Sequence, residues 1–476
     1  MINKFTNNFK TVFISIIILV ILASSYTYYA FSNKSSADDM PKTMQLSVPT
    51  SLSTPSQTPT INQKSEYQRG GVIQHTYDAI VTPKQTPIST TATTPKSTVA
   101  PTKQTVNTPV PTKKIIPPTN NTSKIPKTRV VGYYAFWAPK YGYTPDMIDG
   151  NKFTHINYAF ANISDDLKIA YADESVDLIN FNAFKQLKKN YPHLKTLISI
   201  GGWTWSGKFS DAALTDASRT TFADSCIDFV VKNGFDGIDI DWESPVSGGL
   251  PENIRRPVDK QNYTYLIQKL REKLDERGLI DNKQYLLTIA GAADSTYIRN
   301  TEISVISNYL DYINLMTYDI HGPWDMYTDF NAPLYTNSDS SPQGKGSVDS
   351  GVKAWLNAGC PAQKIVVGIP FYGYKYSSVN TANNGLYQTK AGGYNVSYNT
   401  IAKNYLNTPG YTRYYDPQSM VPWLFNGTTF ITYEDEQSIG LKADYINDNG
   451  LGGAMIWELS QDPSEILLKS LLDGLR

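Results

Sequence analysis

Cysteine and histidine are scarce in this chain, and their scarcity removes whole classes of chemistry. Only two of its 476 residues are cysteine, Cys226 and Cys360. Far apart in sequence, they make no disulfide framework. Cys226 follows Phe222 and precedes Phe229 and Val230 at helical spacing, so it reads as a buried thiol. The four histidines, His75, His155, His193 and His321, form no closely spaced pair. No metal signature is present, and neither a metal nor a cofactor is expected. Excess charge of either sign is also missing, with 43 Lys and Arg against 43 Asp and Glu. A neutral chain offers no basic patch for nucleic acid and no acidic tail. No glycine-rich phosphate loop follows the first strand-like run, which disfavours a doubly wound nucleotide-binding sheet. Aromatic residues, by contrast, make up 12% of the chain. Their rings fill cores and also stack on sugar faces.

Composition divides the chain into three parts. Residues 1–32 carry Lys4 and Lys10 ahead of an apolar run from Val12 to Ala23, followed by the small residues Ser24 and Ser25. This is the pattern of a secretory signal peptide. Extended through Tyr26–Phe31, the run reaches the ~20 residues of a membrane span, so a retained signal anchor is the alternative. Either reading exports the remainder to the extracellular side, released or tethered. Residues 33–127 are dominated by Thr, Pro, Ser and Lys, as in TPIST, TPKST and PTKQT. Such a segment buries too little apolar surface to offset its ordering entropy and is read as a semi-extended disordered linker. A less biased island at 66–81 is a candidate recognition element with no fold of its own.

From residue 128 to 476 the pattern is globular. Strand-like runs occur at 130–136, 155–161, 196–202, 237–241, 285–291, 312–318, 364–370 and 452–459. Helix-period stretches separate several of them, including 263–277, 348–358 and 436–449. Alternating β and α segments of this number predict an α/β fold, a (β/α)8 TIM barrel. The interval between strands 7 and 8 is too long for one helix. Residues 372–433 are rich in Tyr, Asn, Thr and Gly and are read as a small inserted α+β lobe.

The fourth strand-like run carries the strongest chemical signal. FDGIDIDWE, residues 235–243, places Asp239, Asp241 and Glu243 at i, i+2 and i+4, with Ile238, Ile240 and Trp242 between them. A strand of that period turns three acids to one face and the apolar residues to the other. Crowded like charges push at least one carboxyl pKa upward. In a TIM barrel, active residues gather at the carboxyl ends of the strands. Those ends hold Glu243, then Ser199 with Gly201, Gly202 and Trp203, then Met316, Tyr318 and Asp319, and finally Trp457. Acids, a tyrosine hydroxyl and tryptophans converging on one mouth suit the hydrolysis of a glycosidic bond.

These residues resemble glycoside hydrolase family 18, the chitinases and their relatives, from about Arg129 to the C-terminus. FDGIDIDWE fits that family's active-site signature at every acidic position. SIGG (199–202), MTYD (316–319), GIPFYG (368–373) and GGAMIWEL (452–459) match in order and in strand position. The resemblance implies that Glu243 is first the general acid and then the general base. Asp241 would steady the substrate's N-acetyl group, and Asp239 would share its proton from below. Tyr318 would donate to the acetamide oxygen, and Trp457 would form a floor under the sugar. Tyr133 and Ser199 would bond Asp239, Met316 and Asp319 would shape the wall, and Trp203 would be a platform on the leaving-group side. Trp137, Trp205 and Trp324 stand equally as packing residues or more distant platforms. The implied function is a chitinase acting on β-1,4-linked N-acetylglucosamine polymers, endo-acting, as a monomer. An endo-β-N-acetylglucosaminidase is the second enzymatic reading. A non-cutting lectin is disfavoured, because the acid it would lack is present as Glu243.

Overall fold

A computed structural model describes residues 128–340 and 346–476 of the chain. The N-terminal apolar run, the linker and its island at 66–81 lie outside the described residues. Among the described residues no helix is long and apolar enough to cross a membrane.

Eight parallel strands close into a barrel: Arg129–Ala135, His155–Ile163, Lys195–Gly201, Gly237–Asp241, Leu286–Ala292, Tyr312–Met316, Ile365–Pro370 and Gly453–Trp457. The first strand pairs with both its neighbours, Val131 lying opposite Met455 on one side and His155 on the other. All eight expected strands are therefore present. The sixth stops at Met316 and the eighth at Trp457, each shorter than its apolar run. Beyond those points the chain leaves the ladder, so Tyr318 and Asp319 sit on a loop at the barrel mouth.

The period of each strand divides its side chains between two cores. On the fourth strand, Ile238 and Ile240 enter the layer between barrel and helices. Trp242, just beyond it, is fully buried there, stacked on Phe209 at 5.4 Å and edge-on to Tyr263 at 5.2 Å. Removing such a ring would cost about 3–5 kcal/mol. Helices Glu174–Asn190, Asp216–Asn233, Asp259–Asp281, Val348–Asn357 and Glu436–Asp448 lie around the strands in sequence. Asp216–Asn233 starts with a Thr215–Ser218 capping box, ends on Gly234 at φ 79° and delivers the chain to the fourth strand. Cys226 is fully buried on this helix. Gly237 opens the strand because a Cβ there would stand 2.2 Å from the Leu286 carbonyl oxygen.

Between the seventh and eighth strands the chain builds the expected lobe. Its five-stranded antiparallel sheet runs in the order Gly392–Ser397, Tyr372–Ser377, Phe430–Thr432, Val421–Phe425, Thr412–Asp416, with a helix at Tyr398–Asn404. The loop after the sixth strand is stitched to this sheet. Asn331 donates from its backbone to Thr432 Oγ1 at 3.0 Å and from its amide to the Tyr372 carbonyl at 3.3 Å. The helix after the lobe contributes a buried ion pair. Lys442 Nζ lies 2.5 Å from Glu434 Oε1 and 2.7 Å from the Ala332 carbonyl, and Ser438 donates to Glu434 Oε2. Burial pushes the Glu434 pKa up and the Lys442 pKa down, and each charge opposes the shift of the other.

Breaking one half of a buried pair costs more than removing both. Lys442→Met is expected to destabilise the fold by about 3–5 kcal/mol, and adding Glu434→Leu should restore much of the loss. Urea unfolding of the three proteins at neutral pH checks this. Coincident midpoints for wild type and the single variant would refute it.

Candidate active site

Asp239, Asp241 and Glu243 rise in sequence along the fourth strand, and the barrel treats each differently. Asp239 is completely buried. Its Oδ2 accepts from Tyr133 Oη and Ser199 Oγ, both at 2.7 Å. Its Oδ1 accepts from Thr288 Oγ1 at 2.5 Å and Asn314 Nδ2 at 3.1 Å. Four donors from four different strands therefore hold one carboxyl group. Burial still drives its pKa upward, against the pull of those hydrogen bonds.

Asp241 has no such cradle. It is 4% exposed, and its Oδ1 has no hydrogen-bond partner among the described residues. Burial first, then the charges of Glu243 and Asp239, hold its pKa well above the ordinary carboxylate range. Glu243 is half-buried at the mouth. Its backbone is pinned from the turn after the third strand, with its N–H donating to Ser206 Oγ at 2.9 Å. Asn253 Nδ2 donates to the Glu243 carbonyl at 3.3 Å. The three acids form a graded column: fully bonded at the base, buried and partly unbonded in the middle, and open to the cleft at the top.

Aromatic rings surround the upper part of this column. Trp457 lies at the end of the eighth strand, stacked on Phe160 at 5.5 Å and edge-on to Tyr133 at 5.6 Å and Trp137 at 6.4 Å. Its indole Nε1 is buried without a hydrogen-bond partner among the described residues. Tyr318 Oη lies 3.9 Å from Met455 Sδ. Burial, then the charges of Asp241, Asp319 and Glu243, push its pKa far up, so it stays a hydrogen-bond donor. Asp319 takes both Tyr372 Oη and Tyr374 Oη on its Oδ1, the latter at 2.6 Å, and its N–H donates to Asn331 Oδ1. Tyr372, the first residue of the lobe, thus reaches back to the barrel mouth. Met316 is half-buried against the same aromatic cluster. Trp203 lies in the short helix Gly202–Trp205 after the third strand, half-buried.

The fold therefore gathers Tyr133, Ser199, Asp239 and Asp241 into one bonded or adjoining set, with Glu243 and Tyr318 above. Trp457, Met316 and Asp319 line the neighbouring wall. Trp203 follows directly on the carboxyl end of the third strand. Of the tryptophans read two ways, Trp137 backs Trp457, Trp205 stacks on Phe136 at 5.6 Å, and Trp324 meets Tyr374 edge-on at 5.8 Å. Sequence reading missed Thr288, Asn314, Ser206 and Asn253. A signal existed for the first two. Each is a lone polar residue in an apolar strand, at a position whose parity points into the barrel. Ser206 and Asn253 are brought in by loops and leave no such pattern.

No group of three or more His, Cys, Asp or Glu among the described residues is arranged to hold a metal ion.

The raised pKa of Asp241 has a stability consequence. A carboxyl whose folded pKa lies above its unfolded value adds stability below the unfolded pKa, about 3.9, and loses it as pH rises through the folded one. Asp241→Asn removes that loss. The variant is expected to melt higher than wild type at pH 7, with the gap closing below about pH 4. Thermal melts across pH test this, and a gap that persists or widens at low pH would contradict it.

Comparison with known proteins places this column in a family. Residues 129–462 match the family model described as glycosyl hydrolases family 18. Chitinase A1 of Niallia circulans is 42% identical over 404 residues, an alignment covering 72% of this chain and 58% of that protein. Chitotriosidase-1 of Mus musculus is 33% identical over 336 residues, covering 67% of this chain and 69% of the relative. Among solved structures, chitinase ChiA74 from Bacillus thuringiensis superposes with a TM-score of 0.69 at 35% identity, over 73% of this chain and 70% of the other. A family 18 N-acetylglucosaminidase from Paenibacillus barengoltzii gives 0.67 at 38% identity, over 73% of this chain and all of that one. This chain thus spans less than two thirds of the length of Chitinase A1. The ordered match and the identities together establish that the chain belongs to glycosyl hydrolase family 18.

Proposed function

We propose that this protein is an exported chitinase that hydrolyses β-1,4-linked N-acetylglucosamine polymers with retention of configuration. The carrying observation is the graded acid column, with Glu243 intact at its top and Asp241 partly unbonded beneath it. Two-carboxylate retaining glycosidases need a second carboxylate at the anomeric carbon. Asp241 is buried beneath Glu243 with an unpartnered Oδ1, a poor position for attack and a good one for holding a polar group of the substrate.

The mechanism then follows from the residues. Glu243 gives its proton to the glycosidic oxygen as that bond breaks. The acetamide oxygen of the same sugar attacks the anomeric carbon from the opposite face, forming an oxazolinium ion. Asp241 accepts the acetamide N–H and opposes the positive charge spreading onto that nitrogen. Tyr318 donates to the acetamide oxygen and fixes its aim. Asp239 exchanges a proton with Asp241, so the pair carries one negative charge. Two like charges on adjoining buried carboxyls are costly, and one shared proton relieves them. Water then opens the ring ion while Glu243 takes back a proton. Trp457 supports the sugar, Met316 and Asp319 shape its wall, and Trp203 receives the leaving side.

The inserted lobe, tied to the mouth through Asp319, supports a polymer substrate, because it would wall a cleft holding several sugars. Endo action and a monomeric, cofactor-free enzyme belong to the same reading. One relative, a group IV chitinase from Ostrinia furnacalis, was crystallised with allosamidin, so an inhibitor of that class is a useful probe here. Action on protein-linked or cell-wall glycans is the competing reading, and the N-acetylglucosaminidase among the relatives keeps it in view.

Glu243→Gln is expected to lower kcat on chitin oligosaccharides by at least about 10²–10⁴-fold while binding persists. Turnover near wild type would overturn the assignment. Fully deacetylated chitosan, which lacks the acetamide, should not be cleaved. Appreciable release of glucosamine oligomers from it would exclude catalysis through the substrate's own acetamide.

A further inference from the structure

Around Asp239 the barrel interior contains buried polar atoms that the acid column leaves unbonded. Asn157 lies on the second strand, opposite Tyr133 on one side and Leu197 on the other. It is completely buried, and neither Nδ2 nor Oδ1 has a hydrogen-bond partner among the described residues. Tyr312 Oη and Asn314 Oδ1, both on the sixth strand, are buried and unpartnered in the same way. Asn314 spends its amide on Tyr133 Oη at 3.2 Å and on Asp239, which leaves its oxygen over.

The sixth strand lies across the barrel from the second, yet the two meet in this layer. His155, two residues before Asn157 on the same face, has its ring 5.0 Å from that of Tyr312. The Arg129 guanidinium covers the Tyr312 ring from the base at 5.3 Å. Asn157 therefore has the His155–Tyr312 contact below it and the Tyr133–Asn314–Asp239 network above it. Asp239 is near enough for its charge to help raise the Tyr312 pKa. Burial, with the charges of Arg129 and Lys195, lowers the His155 pKa to about 3, so the floor imidazole is neutral.

Buried amides and hydroxyls are rarely left unbonded, and four such atoms on two strands linked by the His155–Tyr312 contact call for a partner that both donates and accepts. Water meets that description and requires two to four polar neighbours, which this space supplies. We propose that Asn157, Tyr312 and Asn314 enclose a cluster of buried water beneath Asp239, and that this water is a working part of the acid column, solvating the lower carboxyl from inside the barrel. Asn157 and Tyr312 are then positioning residues that act through Asn314 and Asp239. The role of the cluster rests on the proposed chitinase mechanism, whereas its existence does not.

The consequence is a shift in pH dependence. The titratable groups that feel the charge of Asp239 are Asp241 on its own strand, Tyr133 on the first, Tyr312 on the sixth, Tyr318 beyond it, and Tyr263 on the helix Asp259–Asp281, while the Arg129 guanidinium lies over Tyr312. The remaining strands present hydroxyl or apolar side chains. Removing this water makes charge on Asp239 less favourable, so the Asp239–Asp241 pair takes up its second proton at higher pH. Asp241 is then neutral and no longer opposes the positive charge of the intermediate.

In the full-length protein, Asn157→Leu is expected to move the acidic limb of the kcat–pH profile upward by about one pH unit, with KM within about twofold of wild type. Tyr312→Phe removes a single hydroxyl and should shift the limb the same way by less, and it covers the case in which Asn157→Leu fails to fold. A crystal structure of the full-length protein should place ordered water within hydrogen-bond distance of Asn157. Profiles superimposable on wild type in a folded variant would overturn the role, and an Asn157 amide satisfied wholly by protein would overturn the water. A wild type that leaves chitin oligosaccharides intact would overturn the function instead, and the crystal structure would still decide whether the water is there.

Discussion

Three carboxyl groups share one face of one strand inside a closed barrel, and the rest of the structure accommodates that crowding. Charge in a buried site is opposed by desolvation and by its like neighbours. The barrel answers differently at each level. At the base, four donors from four strands surround Asp239. At the top, Glu243 reaches the cleft and its solvent. Asp241, between them, keeps an unbonded oxygen and a strongly raised pKa. In the proposed mechanism a substrate amide would satisfy that unmet capacity, at the member of the column that burial destabilises most. On that proposal the cost in fold stability and the gain in function would arise from the same atoms.

Holding such a column requires a rigid surround. Trp242 anchors the outer side of the fourth strand between Phe209 and Tyr263, so the strand cannot rotate its acids out of line. Gly237 lets the fifth strand come close enough for Thr288 to reach Asp239. Ser206 ties the backbone of Glu243 to the turn after the third strand. The lobe adds a second kind of support. Tyr372 and Tyr374 reach from its sheet to Asp319, and the buried Lys442–Glu434 pair fixes the loop that carries Asn331. One wall of the cleft is thereby made from a part of the chain about fifty residues beyond the strand it completes.

Much of this was legible in the amino-acid order because it depends on local periodicity. Strand alternation in GIDID assigns the acids and the isoleucines to opposite faces without reference to any other segment. The same reasoning, applied to LLTIAG and YINLM, points Thr288 and Asn314 inward, though it does not say toward what. Tyr372 illustrates the limit: in the sequence it is merely the first residue of the lobe, and the fold shows its hydroxyl on Asp319 at the barrel mouth. Ser206 and Asn253 come from loops whose conformations no short-range pattern encodes.

The sequence by itself determined the order of strands and helices, the face on which the three acids lie, and the family motifs they belong to. All of these follow from the repeat of two or 3.6 residues and from residue type. Only the tertiary structure decided which acid is satisfied by hydrogen bonds and which is left wanting. Closing the barrel brings Tyr133, Ser199, Thr288 and Asn314 from four strands onto Asp239 and none onto the free oxygen of Asp241. Distances between strands far apart in sequence set desolvation and hydrogen bonding, and these in turn separate three acids that look alike in the chain.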